Sequence, residues 1–172
     1  QPKPLGLATG RTMKPIYTAL VSRLKSWPKN ELETLLAGWC SFNLDEYVGL
    51  LDGSTDSFAS YMARYLGRPL QLTSAQLRVP DGGSEDPFRE ASSYVEQLKN
   101  LGGLGVQLLG LGANGHVGFN EPPCGDDVSC RVVSLSASTR RQNAFAFSED
   151  PKLVPTNAIT RGIEEIMSAE EI

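Results

Sequence analysis

Three short apolar runs, each broken off by glycine together with polar or ionisable residues, most constrain what this chain can fold into. Leu5-Gly6-Leu7-Ala8 runs into Thr9-Gly10-Arg11-Thr12. Leu35 to Phe42 leads into Asn43-Leu44-Asp45-Glu46-Tyr47, and Leu104 to Leu111 into Gly112-Ala113-Asn114-Gly115-His116. Such runs read as buried strands. Between them Ile16, Tyr17, Leu20, Val21 and Leu24 recur at helical spacing, with Pro28 and Asn30 ending that helix. Ser57 to Leu66 and Asp86 to Leu101 also read as helices, the latter opened by an Asp cap and a proline at the first helical position. Strands alternating with helices predict an α/β fold, a mainly parallel sheet flanked by helices in a Rossmann-like three-layer sandwich. Ligands of such sheets gather beyond the carboxyl ends of the strands, so one shared cleft is expected at the three polar strand ends.

The 172 residues suit one domain, and a composition 40% hydrophobic and 21% charged is that of a folded chain. A net charge of −4, without any long Lys/Arg cluster, argues against a nucleic-acid partner. No apolar stretch reaches the roughly 20 residues of a membrane span, and Gln1-Pro2-Lys3-Pro4 has no signal-peptide core, so no membrane partner and a cytoplasmic location are expected. Cys40, Cys124 and Cys130 are an odd count without metal-ligand spacing and read as free thiols, with no metal site. His116 is the single histidine, so any imidazole chemistry falls to it. The chain opens almost at once on a strand, and Ala169-Glu170-Glu171-Ile172 reads as the start of another, so truncation at both ends is expected.

Gly110 to Gly115 matches GxGxxG, but Val117-Gly118-Phe119-Asn120-Glu121-Pro122-Pro123 follows with no helical period. A nicotinamide site needs a helix there to meet the pyrophosphate, so these glycines are read as a tight turn that brings His116 to a small ligand. Thr9-Gly10-Arg11-Thr12, between a strand end and a helix start, offers backbone N–H groups, two hydroxyls and a guanidinium, which suit a phosphate monoester; an ordinary helix cap uses the same residues. Asp45 and Glu46 could equally belong to a solvated loop. What points to function is that they share a sheet edge with His116 and Glu121.

Two long stretches resemble the glucosamine-6-phosphate deaminases: Phe42-Asn43-Leu44-Asp45-Glu46-Tyr47-Val48-Gly49-Leu50 and Asn114-Gly115-His116-Val117-Gly118-Phe119-Asn120-Glu121-Pro122. Leu5 to Thr12 is similar to that family's phosphate loop, and Val154-Pro155-Thr156-Asn157-Ala158-Ile159-Thr160 to its Val-Pro-x-x-Ala-Ile-Thr segment. The resemblance implies that residues 1–172 form a single sugar-phosphate isomerase/deaminase domain, itself incomplete. It implies conversion of glucosamine 6-phosphate to fructose 6-phosphate and ammonia, in amino-sugar catabolism, with no metal or organic cofactor. Asp45 would carry a proton between C2 and C1, His116 would assist ring opening, and Asn114 and Glu121 would orient or tune the imidazole. Thr9, Gly10, Arg11, Thr12 and Glu46 would bind the substrate, an amino-sugar phosphate. Self-association into a homo-oligomer is left open.

The chain departs from the family where its phosphate-holding arginine would stand, since that position is Phe145; Arg140, Arg141 and Arg161 are candidate substitutes. Asn114 stands where some members have Asp, and an amide can orient His116 but cannot take its proton. A 6-phosphogluconolactonase, whose motif is of an Asp-Gly-His-Thr-Ala-Ser type, and a sugar-phosphate sensor domain without catalytic acids are the alternatives.

Overall fold

The computed structural model describes residues 2–51, 53–112 and 114–172; Gln1, Asp52 and Ala113, the last inside the glycine-rich turn, lie outside them. In chain order the strands are β1 (Leu5–Leu7), β2 (Ser41–Asn43), β3 (Asp45–Tyr47), β4 (Leu77–Arg78), β5 (Val106–Gln107), β6 (Arg131–Ser134) and β7 (Asn157–Thr160). The helices are α1 (Met13–Lys25), α2 (Lys29–Ala37), α3 (Phe58–Met62), α4 (Arg68–Leu70), α5 (Pro87–Asn100), α6 (Ala137–Asn143) and α7 (Ile163–Met167).

β4, β2, β1 and β5 lie side by side in that order, every pair parallel. Helices cover both faces of this sheet. Leu7 packs with Met13, Tyr17 and Leu24 of α1, whereas Phe42 packs with Tyr94 and Leu98 of α5. Each side chain so buried stabilises the fold by about 1.5–3 kcal/mol. The flanked parallel sheet expected from the sequence is therefore present. From β1 the chain steps outward to β2 and β4, then crosses back to place β5 on the other side of β1. That reversal makes the carboxyl ends of β1 and β5 a topological switch point, where a crevice opens.

Three local expectations differ. The run from Leu35 is not one strand: α2 occupies Lys29–Ala37 and β2 is confined to Ser41–Asn43. Pro28 starts that helix rather than ending the preceding one, because a cap position needs no N–H and tolerates its fixed φ of −54°. Leu32 and Leu36, four apart, then turn toward the core. The strand expected over Leu104 to Leu111 is regular only at Val106–Gln107; Leu108 still donates its N–H to the Gly6 carbonyl at 2.8 Å before the chain leaves the sheet. The helix expected over Ser57 to Leu66 begins at Phe58, capped by the Ser57 hydroxyl, and widens into a π turn over Ala63–Gly67 before α4.

A second, antiparallel sheet of order β3-β7-β6 adjoins the first and has no counterpart in the sequence reading. Leu44 alone separates β2 from β3, so the chain passes directly from one sheet to the other. Asp45 sits opposite Thr160 and Tyr47 opposite Ala158. Tyr47, Phe119, Phe147, Val154 and Ala158 form a core under this sheet. Among the described residues no helix is long and apolar enough to cross a membrane.

Candidate active site

The loops after β1 and β5 and the crossing from β2 to β3 enclose a cavity of about 250 Å³. Thr9, Gly10 and Thr12 line it from the first loop, Asp45 from the crossing, and His116 and Gly118 from the third. The single-cleft expectation is met for these residues. Two larger open grooves, of about 940 and 670 Å³, lie elsewhere; the first is lined by none of the sequence-selected site residues and the second by Glu46 alone. Volume is a poor guide here, because convergence of ionisable and hydrogen-bonding groups is what marks a site.

The first loop is tied down from below. The Tyr17 hydroxyl donates to the Ala8 carbonyl at 2.5 Å and the Tyr61 hydroxyl to the Gly10 carbonyl at 2.8 Å. Thr12 precedes α1 with no side-chain capping bond, so its hydroxyl remains available to an anion, whereas the Met13 N–H is taken by the Gly10 carbonyl at 3.1 Å and Pro15 has no N–H to offer. Arg11 does not line the cavity. Its guanidinium lies over the ring of Phe145, 4.8 Å from the centroid, and Phe145 does line it.

Asp45 is 6% exposed. Burial, and secondarily the neighbouring Glu46 charge, push its carboxyl up to about 7, with Arg161 pulling the other way. Oδ1 of Asp45 has no hydrogen-bond partner among the described residues. A carboxylate so placed changes protonation near neutral pH, which suits it to accept and return a proton.

His116 is half-buried and held by its own turn. The Asn114 side-chain oxygen faces ring Nδ1 at 2.5 Å and accepts the His116 backbone N–H at 3.3 Å. An amide oxygen only accepts, so in the neutral ring this pairing favours the proton on Nδ1 and leaves Nε2 as the lone-pair nitrogen. The imidazole lies where a β-carbon on residue 112 would be: a Cβ built on Gly112 meets ring atoms at 2.1–2.4 Å. Only glycine leaves that room. Gly118, at φ +58°, likewise lets the backbone close against Leu44 and the Thr160 hydroxyl.

Two sequence-selected residues have other partners. Glu46 was expected to bind substrate, but its carboxylate is 3% exposed and accepts the N–H groups of Tyr47, Phe58 and Ala59 at 2.7, 3.0 and 2.7 Å. It anchors the start of α3 to β3, and those three donors occupy three of its roughly four acceptor positions. Glu121 was expected to tune the imidazole; its carboxylate instead accepts the hydroxyls of Ser136, at 3.0 Å, and Thr139. Turned toward α6, it meets His116 through no hydrogen bond among the described residues. Of the candidate substitutes for the phosphate arginine, Arg140 donates to the carbonyls of Pro151 and Val154, and Arg161 is wholly buried.

Thr139, Gln142 and Asn143 of α6 also line the cavity and were not singled out as site residues in the sequence. The signal available was the Ser136 cap, whose hydroxyl accepts the Thr139 N–H at 3.2 Å and announces a helix start. Nothing in that segment says which way the helix faces.

No family model matches the chain. It is 39% identical over 168 residues to the glucosamine-6-phosphate deaminase of Lysinibacillus sphaericus and 40% identical over 168 residues to that of Lachnoclostridium phytofermentans. These matches cover 98% of this chain and 68% and 69% of the relatives. With the Oceanobacillus iheyensis protein of the same name the identity is 39% and the share of the relative 65%, so the chain spans about two thirds of the length of its curated relatives. A solved monomeric glucosamine-6-phosphate deaminase superposes with a TM-score of 0.86 at 35% identity, over 97% of this chain and 67% of that one. Being monomeric, that neighbour gives no support to the homo-oligomer left open above. A 6-phosphogluconolactonase from Plasmodium vivax superposes at 0.64 with 16% identity, over 98% of this chain and 62% of that one, a likeness of fold alone. On sequence and structure together, the chain belongs to the glucosamine-6-phosphate deaminase family.

Proposed function

We propose that the protein opens glucosamine 6-phosphate, isomerises it and releases ammonia, leaving fructose 6-phosphate. The observation that carries this reading is Asp45, a nearly dry carboxylate on the wall of the same small cavity as His116 and the Thr9–Thr12 loop. A sugar of six carbons needs a base at one end and an anion cradle at the other. The cavity offers both.

In this reading Nε2 of His116 takes the proton of the ring hydroxyl and returns it to the ring oxygen, opening the sugar to its aldehyde. The aldehyde acidifies the C2 hydrogen; Asp45 removes it, the electron pair forms the C1–C2 double bond, and the aldehyde oxygen takes up a proton to give the enolamine. Asp45 returns the proton to C1. As C1 is protonated the nitrogen lone pair forms the C2=N bond and nitrogen gives up a proton, balancing the one taken by the aldehyde oxygen; water hydrolyses this imine to the ketone with release of ammonia. Every step is a proton transfer or a hydration, which side chains and water carry out without redox chemistry. Asn114 holds the imidazole tautomer, and Thr9, Gly10 and Thr12 receive the phosphate with Arg11 at the rim. The reaction belongs to amino-sugar catabolism, and a phosphorylated substrate accords with a cytoplasmic location.

The test is ammonia release from glucosamine 6-phosphate by the purified full-length protein, with 6-phosphogluconolactone as the competing substrate. Ammonia from the amino sugar and no lactone hydrolysis is the expected result. Lactone hydrolysis without ammonia would overturn the reading.

A further inference from the structure

Asp45 and Thr160 face one another across β3 and β7, and Asp45 lines the cleft. Arg161, the next residue, turns to the opposite side, since side chains alternate along a strand. Its side chain is 0% exposed. The Arg161 backbone N–H donates to the Leu44 carbonyl at 2.9 Å, and its Nη2 to the Phe42 carbonyl at 3.4 Å. The guanidinium is thus packed beneath the backbone that carries Asp45. Among the described residues its Nε and Nη1 have no hydrogen-bond partner, nor does Asp45 Oδ1. Glu165, the carboxylate on the Arg161 side, is already engaged by the Ser129 hydroxyl and the Gly162 N–H.

A buried guanidinium with two unused nitrogens and no ion pair among the described residues is costly for a fold to keep. Packing alone would be served as well by an apolar side chain of the same length. We propose that Arg161 is a positioning residue for the reaction assigned above: a buried positive charge behind Asp45 that keeps its carboxylate available as a base.

The charges around the pair allow this. Asp45 is faced by Glu46 on its own strand, by the phenols of Tyr17 on α1 and Tyr47 on β3, and by His116 across the cavity. Arg161 is faced by Tyr94 on α5, Cys130 before β6, Glu165 on α7 and Asp45. Burial raises the Tyr94 phenol and pushes the Cys130 thiol up to about 12, so both stay neutral. Among the described residues Arg161 is the one group whose charge lowers the Asp45 carboxyl, against burial and Glu46, which raise it. In a dry interior such a charge acts over several ångströms without contact.

The inference rests on the proposed deaminase reading, and its test separates the two. R161M removes the charge and keeps the length; R161Q removes the charge but retains a donor for the Phe42 carbonyl, which guards the test against misfolding. R161K restores a cation. The first measurement is the Asp45 carboxyl titration, followed by carbon NMR in the full chain with labelled aspartate and no substrate. Both neutral variants should titrate about one pH unit or more above the parent, with R161K falling between. The second is the pH profile of ammonia release, whose acid limb should move up by the same amount, so that kcat at pH 7 falls about fivefold or more while KM stays within about twofold. Lower melting temperatures with an unchanged Asp45 titration would overturn the proposal and leave Arg161 a structural residue. A parent enzyme that releases no ammonia would overturn the deaminase reading, while the carboxyl titration would still decide the partnership.

Discussion

The two walls of the cleft are built on opposite plans. Asp45 stands where the chain steps from the parallel into the antiparallel sheet, 6% exposed, its strand paired with β7. His116 stands on a glycine turn beyond β5, half exposed, oriented by one amide two residues before it. The first wall sets chemistry through burial: exclusion of water raises the carboxyl to about 7. The second sets it through local geometry, by leaving room for the ring and fixing its tautomer. A dry wall resists displacement and tunes a proton affinity, whereas a turn can move with the ligand.

The largest test of this contrast is Asp45→Asn, which keeps shape and removes the basic oxygen. Turnover should fall by about 10² to 10⁴ with the fold intact. Near-normal turnover would sink the proposed mechanism. For the parent, activity needs the carboxylate, so kcat should decline as pH drops below about 7. Stability runs the other way. A folded pKa above the unfolded value of about 3.9 means that the native state binds the proton more tightly, so stability falls as pH rises through that window and is constant above it. Asp45→Asn should therefore melt higher than the parent at pH 8, by about 1–3 kcal/mol, with the gap closing toward pH 4. A variant less stable at every pH would show that the wall is not dry.

On the other wall the corresponding test is Gly112→Ala. The new methyl group would coincide with the His116 ring, so the imidazole must swing out. Activity should fall about 10- to 100-fold while the thermal melt moves little, because the turn is at the surface. Asn114→Ala is milder. It frees the tautomer without displacing the ring, and a loss of about three- to tenfold in kcat is expected. Equal damage from the alanine at 112 and the alanine at 114 would mean that orientation, not space, is what the turn supplies.

The same contrast explains what was legible in the sequence. The polar ends of three apolar runs located the cleft, because chemistry at a strand end leaves residues such as Asp45 and His116 beside obvious hydrophobic patterns. Asn114 was legible as the imidazole's partner because it lies only two residues away. Glu46 and Glu121 were assigned to ligand and imidazole, yet their partners lie on α3 and near α6, and pairing across sequence gaps of 12 and 18 residues leaves no local pattern. The second sheet was invisible for a similar reason: strands of three and four residues are too short to show alternation. Helix α2 is hidden in the sequence because a proline and an asparagine pattern as helix stops, whereas the fold uses the proline as a start.

The smallest expected effect lies at the rim that joins the two walls to the phosphate loop. Arg11 projects from the loop after β1, and its guanidinium rests on Phe145, which is 48% exposed and lines the cavity. A cation over an aromatic face at such an exposed site contributes about 0.5–1 kcal/mol. Phe145→Leu keeps the apolar contact with the cavity but removes the π face, so Arg11 loses its shelf and samples more rotamers. If Arg11 meets the phosphate, that freedom must be lost on binding, and KM for glucosamine 6-phosphate should rise about two- to fivefold with kcat unchanged. Arg11→Ala should raise KM further, and the double variant should be no worse than Arg11→Ala alone, because Phe145 acts only through the guanidinium. Additive losses would show that Phe145 contacts the sugar itself, and an unchanged KM in Arg11→Ala would move the phosphate away from this loop.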